Sequence, residues 1–260
     1  MTQFATAKDG VKIAYEIAGE GAQTVVLVHG FASDRVQNWR APGWYQTLNG
    51  AGYRVVALDC RGHGESDKPY DPASYGHEKM AEDVIAVMDT AGLPESLLMG
   101  YSMGSYISMS LLLRHPERFH KVVIAGVGAS YLDINAAEGA VADPQRRAAV
   151  ADALLADDPS TITNKTARDF RAFADQAGKD RRALAACMRG NRDAFTREQL
   201  AASKRPVLVV CGGKDVLTGP PEPLAAAFAN GRAVVVPNRD HMTAVGDKVY
   251  KAAVLDFFKE

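Results

Sequence analysis

The stretch Leu97-Leu98-Met99-Gly100-Tyr101-Ser102-Met103-Gly104, with the helix-forming residues 105–114 after it, decides the fold. An apolar run of strand type gives way to a helical pattern across one serine, with a glycine two places to either side. A serine on such a sharp strand-to-helix turn is held in strained backbone geometry, its Oγ lifted clear of the sheet. Small residues are needed beside it because the two backbones nearly touch there, and Gly100 and Gly104 have no Cβ to clash. The helix that follows points free N–H groups and its positive dipole end toward the place where negative charge would develop. Alone, G-x-S-x-G is a common accident. Between a strand and a helix it reads as a nucleophile elbow.

Short runs rich in Val, Leu and Ile recur on both sides of the elbow, at residues 24–28, 53–58, 96–99, 121–125, 206–210 and 232–236. They do not alternate with polar residues, so they suit strands covered on both faces, as in a parallel sheet. Residues 3–7 and 11–17, joined by Lys8-Asp9-Gly10, read as an antiparallel hairpin. Helical patterns fall between the strands at 44–51, 77–91, 103–114, 223–229 and 245–258. In 77–91, Met80, Val84, Val87, Met88 and Ala91 share one face, as a helix lying on a sheet requires. The alternation predicts an α/β protein with a doubly wound sheet and active groups at the carboxyl ends of its strands.

One stretch breaks the rhythm. From about Gly128 to Ser203 no β-like run appears, and helices are expected around 145–156, 166–177 and 181–188. An insert of roughly 70 residues far exceeds an ordinary connection and is read as a lid over the site, against the alternative of extra helices on the far side of the sheet. The expected organisation is a core domain of residues 1–127 and 204–260 with a helical lid or cap at 128–203.

The bulk properties narrow the function classes. With 260 residues the chain can hold one large domain, and 47% hydrophobic with 23% charged residues is ordinary for a globular protein. A formal net charge of −1 gives no electrostatic case for nucleic acid or an anionic membrane surface. The three cysteines, Cys60, Cys187 and Cys211, are expected to be buried free thiols in a reducing compartment. The first ten residues carry no apolar core of signal-peptide type, and no apolar run approaches the ~18 residues of a membrane span. A cytoplasmic location is expected.

A serine hydroxyl is a poor nucleophile until a base takes its proton, so Ser102 demands a histidine. Of the six, His29 and His63 sit in glycine-containing loops after strands, and His77, His115 and His120 lie at element boundaries. These suit turns or caps. His241 follows the strand 232–236 through Pro237-Asn238-Arg239-Asp240, which puts it on the same sheet edge as Ser102. The base needs a carboxylate to fix its tautomer and stabilise the imidazolium. Asp215, in Cys211-Gly212-Gly213-Lys214-Asp215, is the expected partner. Asp240 is the weaker alternative, since sequence neighbours seldom turn their side chains usefully toward each other. The serine, aspartate, histidine order fits a hydrolase of this sheet type. For the oxyanion hole, the backbone N–H of Met103 and that of Phe31, in the loop after strand 24–28, are expected. Trp39, Trp44, Met103, Val216, Leu217 and Met242 lie near strand ends, where core and pocket wall are equally natural.

His29-Gly30-Phe31, Arg61-Gly62-His63-Gly64-Glu65-Ser66, the elbow, Gly213-Lys214-Asp215 and Asp240-His241 fall in the order seen in the α/β-hydrolase superfamily, and the chain resembles its serine-nucleophile, esterase-like branch. The resemblance implies an eight-stranded, mostly parallel sheet with a helical cap between strands six and seven. It also implies Ser102 as nucleophile, His241 as base, Asp215 as acid and a structural role for residues 61–66. Haloalkane dehalogenases and epoxide hydrolases of this fold carry aspartate at the elbow, so Ser102 points to acyl transfer. No Walker motif, Rossmann fingerprint or paired metal-ligand motif is present in the sequence. The expected function is therefore cofactor-free and metal-free hydrolysis of a small or medium carboxylic ester. Lactone, thioester and carbon–carbon hydrolysis and perhydrolysis share the same residues, and a ligand receptor retaining the fold stands as a reading of another class.

Overall fold

The computed structural model describes residues 1–132, 144–176, 178–192 and 194–260. The expected helix end at Ala177 and residues 133–143 of the expected insert lie outside the described residues. The strands are β1 (Gln3–Thr6), β2 (Lys12–Ala18), β3 (Gln23–Val28), β4 (Tyr53–Leu58), β5 (Ser96–Tyr101), β6 (Phe119–Ala125), β7 (Val207–Gly212) and β8 (Gly231–Val236). They form one eight-stranded sheet in the order β1-β2-β4-β3-β5-β6-β7-β8. β2 runs antiparallel to β1 and β4, and every other pairing is parallel. The mostly parallel α/β architecture expected from the strand runs is the one found.

The helices are α1 (Trp44–Gly50), α2 (His77–Thr90), α3 (Met103–Arg114), α4 (Pro144–Leu155), α5 (Lys165–Ala174), α6 (Arg181–Arg189), α7 (Arg197–Ala202), α8 (Glu222–Ala225) and α9 (Lys248–Lys259). Why the strands lack alternation is visible in the packing. On β3, Val26 and Val28 enter one core while Val25 and Leu27 enter another, and β4 divides Val56 and Leu58 from Val55 and Ala57 in the same way. α2 and α3 cover the first face and α1 and α9 the second, so both pleat directions are apolar. β8 departs from this expectation. Among the described residues it is the last strand on its side of the sheet, and Val235 is exposed.

Element ends differ where local hydrogen bonds decide them. α9 starts at Lys248 and not Val245, because the Asp247 carboxylate accepts from Val249 N–H at 2.8 Å and caps the helix. The pattern at 223–229 gives only the short α8. α7 carries no apolar periodicity long enough to be read in sequence; it is closed by a capping box in which Thr196 Oγ1 accepts from Gln199 N–H and Gln199 Oε1 accepts from Thr196 N–H. α4 to α7 all fall between β6 and β7 in the chain. No described helix is long and apolar enough to cross a membrane.

β3 pairs with β4 on one side and β5 on the other, so the strand order reverses there. The loops after β3 and β5 consequently leave the sheet in opposite directions and open a crevice. Two buried histidines brace its floor. His29 Nδ1–H donates to Gly30 O at 2.7 Å while its Nε2 accepts from Cys60 N–H at 2.9 Å, tying the ends of β3 and β4 together. His63 Nδ1–H donates to Arg61 O at 2.9 Å, and its ring meets that of His29 edge-on at 5.1 Å. Both are structural, as the resemblance implied for His63. Burial pushes both imidazoles down, that of His63 to about 3 with His29 adding to the effect. Since the folded form stays neutral while the unfolded chain titrates near 6.5, stability is full above that pH and is lost as pH falls toward 3. From pH 8 to pH 5, urea unfolding should record a loss of about 2 kcal/mol attributable to His63. His63→Asn keeps a donor near Nδ1 and removes the titration, so its loss over the same interval should be smaller by that amount; an unchanged loss would contradict the assignment.

Candidate active site

Ser102 sits between the last residue of β5 and the first of α3 with φ 51° and ψ −113°, a conformation that side-chain-bearing residues seldom adopt. Its neighbours leave it no alternative. A Cβ on Gly100 would lie 2.4 Å from Gly104 O, and one on Gly104 would lie 2.0 Å from Val28 O. β3, β5 and α3 therefore meet backbone to backbone at the turn, and Ser102 N–H is tied to Ala125 O at 2.7 Å. The half-buried hydroxyl is left facing the crevice.

The loops after β7 and β8 are zipped to each other. Gly213 N–H donates to Val236 O and Lys214 N–H to Arg239 O, each at 2.8 Å, and a Cβ on Gly212 would lie 2.3 Å from Arg239 O. This brings Asp215 beside His241. The carboxylate Oδ2 accepts from His241 Nδ1–H at 2.8 Å, which leaves the Nε2 lone pair toward the Ser102 hydroxyl at 3.1 Å. Asp215 Oδ1 accepts from the N–H groups of Leu217 and Thr218 at 3.0 and 3.2 Å. Burial alone would raise the Asp215 carboxyl, but the bonds from His241, Thr218 and Leu217 outweigh it and hold the group below its ordinary range.

Asp240 is turned elsewhere. Its Oδ1 accepts from the N–H groups of Met242 and Thr243 and from Thr243 Oγ1, closing its own loop. Among the remaining histidines, His115 meets Glu82, His120 meets Glu95, and His77 stacks on Tyr106.

Two supports were not legible in the sequence. Tyr101, buried between Trp39 and Tyr250, donates its hydroxyl to His241 O at 2.5 Å and holds the histidine loop from beneath. Asn38 Oδ1 accepts from Gly30 N–H at 3.0 Å and sets the path of the loop carrying Phe31. Gly30 itself lies against the elbow, since a Cβ there would be 3.5 Å from Ser102 Cβ. Among the described residues no group accepts from the backbone N–H of Phe31 or of Met103. Trp39 and Trp44 belong to the core and Val216 is exposed, whereas Leu217 and Met242 line a cavity above Ser102 and His241. That cavity is about 490 Å³, and Phe170 and Phe173 of α5 complete its wall.

The family model described as alpha/beta hydrolase fold matches residues 23–246. The chain belongs to the α/β-hydrolase family. Its curated relatives include the dihydrolipoyllysine-residue acetyltransferase component of an acetoin cleaving system from Pseudomonas putida, 30% identical over 88% of this chain. The chain spans 61% of that protein's length. A 3-oxoadipate enol-lactonase from Acinetobacter baylyi is 26% identical over 82% of this chain and 79% of its own length. Among solved structures, the enol-lactonase from Burkholderia xenovorans is 27% identical, covers 99% of this chain and all of its own, and superposes with a TM-score of 0.77.

In this α/β hydrolase, the Tyr101 hydroxyl is the support most open to direct test. Tyr101→Phe leaves a buried carbonyl of His241 without its donor and should lower the unfolding free energy by about 1–3 kcal/mol in urea titration. An unchanged midpoint would mean that the bond contributes nothing to holding the loop.

Proposed function

We propose that the chain is a serine hydrolase that cleaves carboxylic esters of small or medium molecules, with Ser102 as nucleophile, His241 as base and Asp215 as acid. The observation that carries the reading is the unbroken series of contacts from Asp215 Oδ2 through the imidazole to Ser102 Oγ, at 2.8 and 3.1 Å. Asp215 fixes the tautomer and stabilises the imidazolium. Ser102 Oγ attacks the carbonyl carbon as Nε2 takes its proton, and the carbonyl oxygen becomes an oxyanion held by the N–H groups of Phe31 and Met103. Each such donor is worth about 10²–10³ in rate. Collapse of the tetrahedral intermediate breaks the bond to the alkoxide, which leaves with the imidazolium proton as the free alcohol. Water, deprotonated by His241, then attacks the acyl carbon, and the second tetrahedral intermediate breaks its bond to Ser102 Oγ, which takes the proton back from the imidazolium as the acid is released. These steps call for no metal or cofactor, only the ester and water.

Residues 128–203 are taken as a cap over a core of 1–127 and 204–260, a division supported by Phe170 and Phe173 in the cavity wall. A second reading, lactone hydrolysis, is favoured by the likeness to enol-lactonases; a lactone is a cyclic ester and follows the same steps. A panel of p-nitrophenyl esters, lactones, acyl thioesters and vinylogous diketones separates these reactions, and turnover without any partner counts against a receptor. Ser102→Ala should reduce turnover by about 10⁴ or more with the circular dichroism spectrum unchanged, and retained activity would refute the nucleophile. Asp215→Asn should cost about 10⁴. A larger loss from Asp240→Asn would show that the acid had been misassigned.

A further inference from the structure

We infer that the cavity above Ser102 selects against substrates bearing a free carboxylate and takes uncharged esters with an apolar acyl or alcohol group. The inference rests on the ester-hydrolase reading and names its substrate class. Phe31, Phe170, Phe173, Leu217, Met242 and Val245 make most of the wall. Its polar groups are the neutral Ser33, Gln37, Asn38, Tyr101, Ser102 and Thr166, the carboxylate of Asp169, and a histidine already engaged by Asp215 and Ser102. Among the described residues no lysine or arginine lines the cavity. Residues 133–143, Ala177 and Asp193 contain no Lys, Arg or His, so they bring no cation wherever they lie.

Three cations stand one side chain back, and each is engaged there. Lys179 Nζ lies 3.5 Å over the Phe173 ring and 3.0 Å from Gln37 Oε1. Lys165 Nζ is 2.6 Å from Asp169, and Arg146 Nη2 is 3.5 Å from Thr166 Oγ1. A carboxylate drawn into this space gives up its water for apolar walls and amides with no cation among the lining groups, which is far costlier than burying a neutral ester. The one charged group on the wall, Asp169, is an anion held by Lys165, so it offers a carboxylate no partner. A neutral chain avoids that penalty and gains from every apolar contact.

The test is a matched pair of equal length, 4-nitrophenyl methyl adipate and 4-nitrophenyl hydrogen adipate, assayed at pH 7.5 with the uncatalysed rate subtracted. The neutral diester should have the higher kcat/KM by about 100-fold. Asp169→Lys, at an exposed position on α5, puts a cation at the wall and should shrink that ratio by about tenfold. Equal use of the two esters, preference for the acid, or a ratio unmoved by Asp169→Lys would overturn the inference. Ser102→Ala separates the two levels of failure. If it still hydrolyses the diester at the parent's rate, the serine-hydrolase reading with Ser102 as nucleophile falls. If it is inactive while the parent takes both esters alike, only the charge selection falls.

Discussion

The near-contact of β3, β5 and α3 at the elbow is the constraint on which the rest depends. Gly104 lies so close to the carbonyl of Val28 that no side chain fits between them. That closeness forces the turn at Ser102, aims α3 at the crevice, and sets the loop of Phe31 beside the serine. Because β3 is also where the strand order reverses, the candidate site occupies a place on the sheet edge where neighbouring loops diverge. Strain at Ser102 is thus maintained by packing that involves three elements at once, and any loosening would release it.

A second constraint acts from the far side of the crevice. The main-chain bonds between the loops after β7 and β8 make a single unit of two segments separated by β8 and α8. Asp215 then has its remaining lone pairs satisfied by main-chain N–H groups, and His241 is braced below by Tyr101. Each polar group is held by a partner that is itself fixed, which keeps the contacts with Ser102 short without relying on long flexible side chains.

Much of this was legible in the sequence, for physical reasons. Strands with both faces buried reveal themselves as unbroken Val and Leu runs, and glycines at 100 and 104 mark the place where backbones approach closely. The positions of Ser102, Asp215 and His241 on one edge followed from their placement just after strands. What stayed hidden depends on tertiary contacts that leave no local pattern. Tyr101 is an ordinary aromatic until its hydroxyl is seen beneath His241. Asn38 matters through one bond across eight residues to Gly30. α7 is too short to show a period, and Phe170 and Phe173 look like any amphipathic helix until they are seen in the wall of the cavity that Ser102 also lines.

The cavity joins the two constraints to chemistry, since its floor is polar and preorganised while its walls are mostly apolar. Charge developing at the floor would meet fixed donors beside mostly apolar walls, where they count for more than in water. The most direct test of the central claim is mass spectrometry of the protein after treatment with a fluorophosphonate, with the adduct mapped to its peptide. The account predicts one adduct, on Ser102, formed when the native protein is treated and absent when the protein is unfolded in urea before treatment. Modification at another residue, or none at Ser102 in the folded protein, would contradict it.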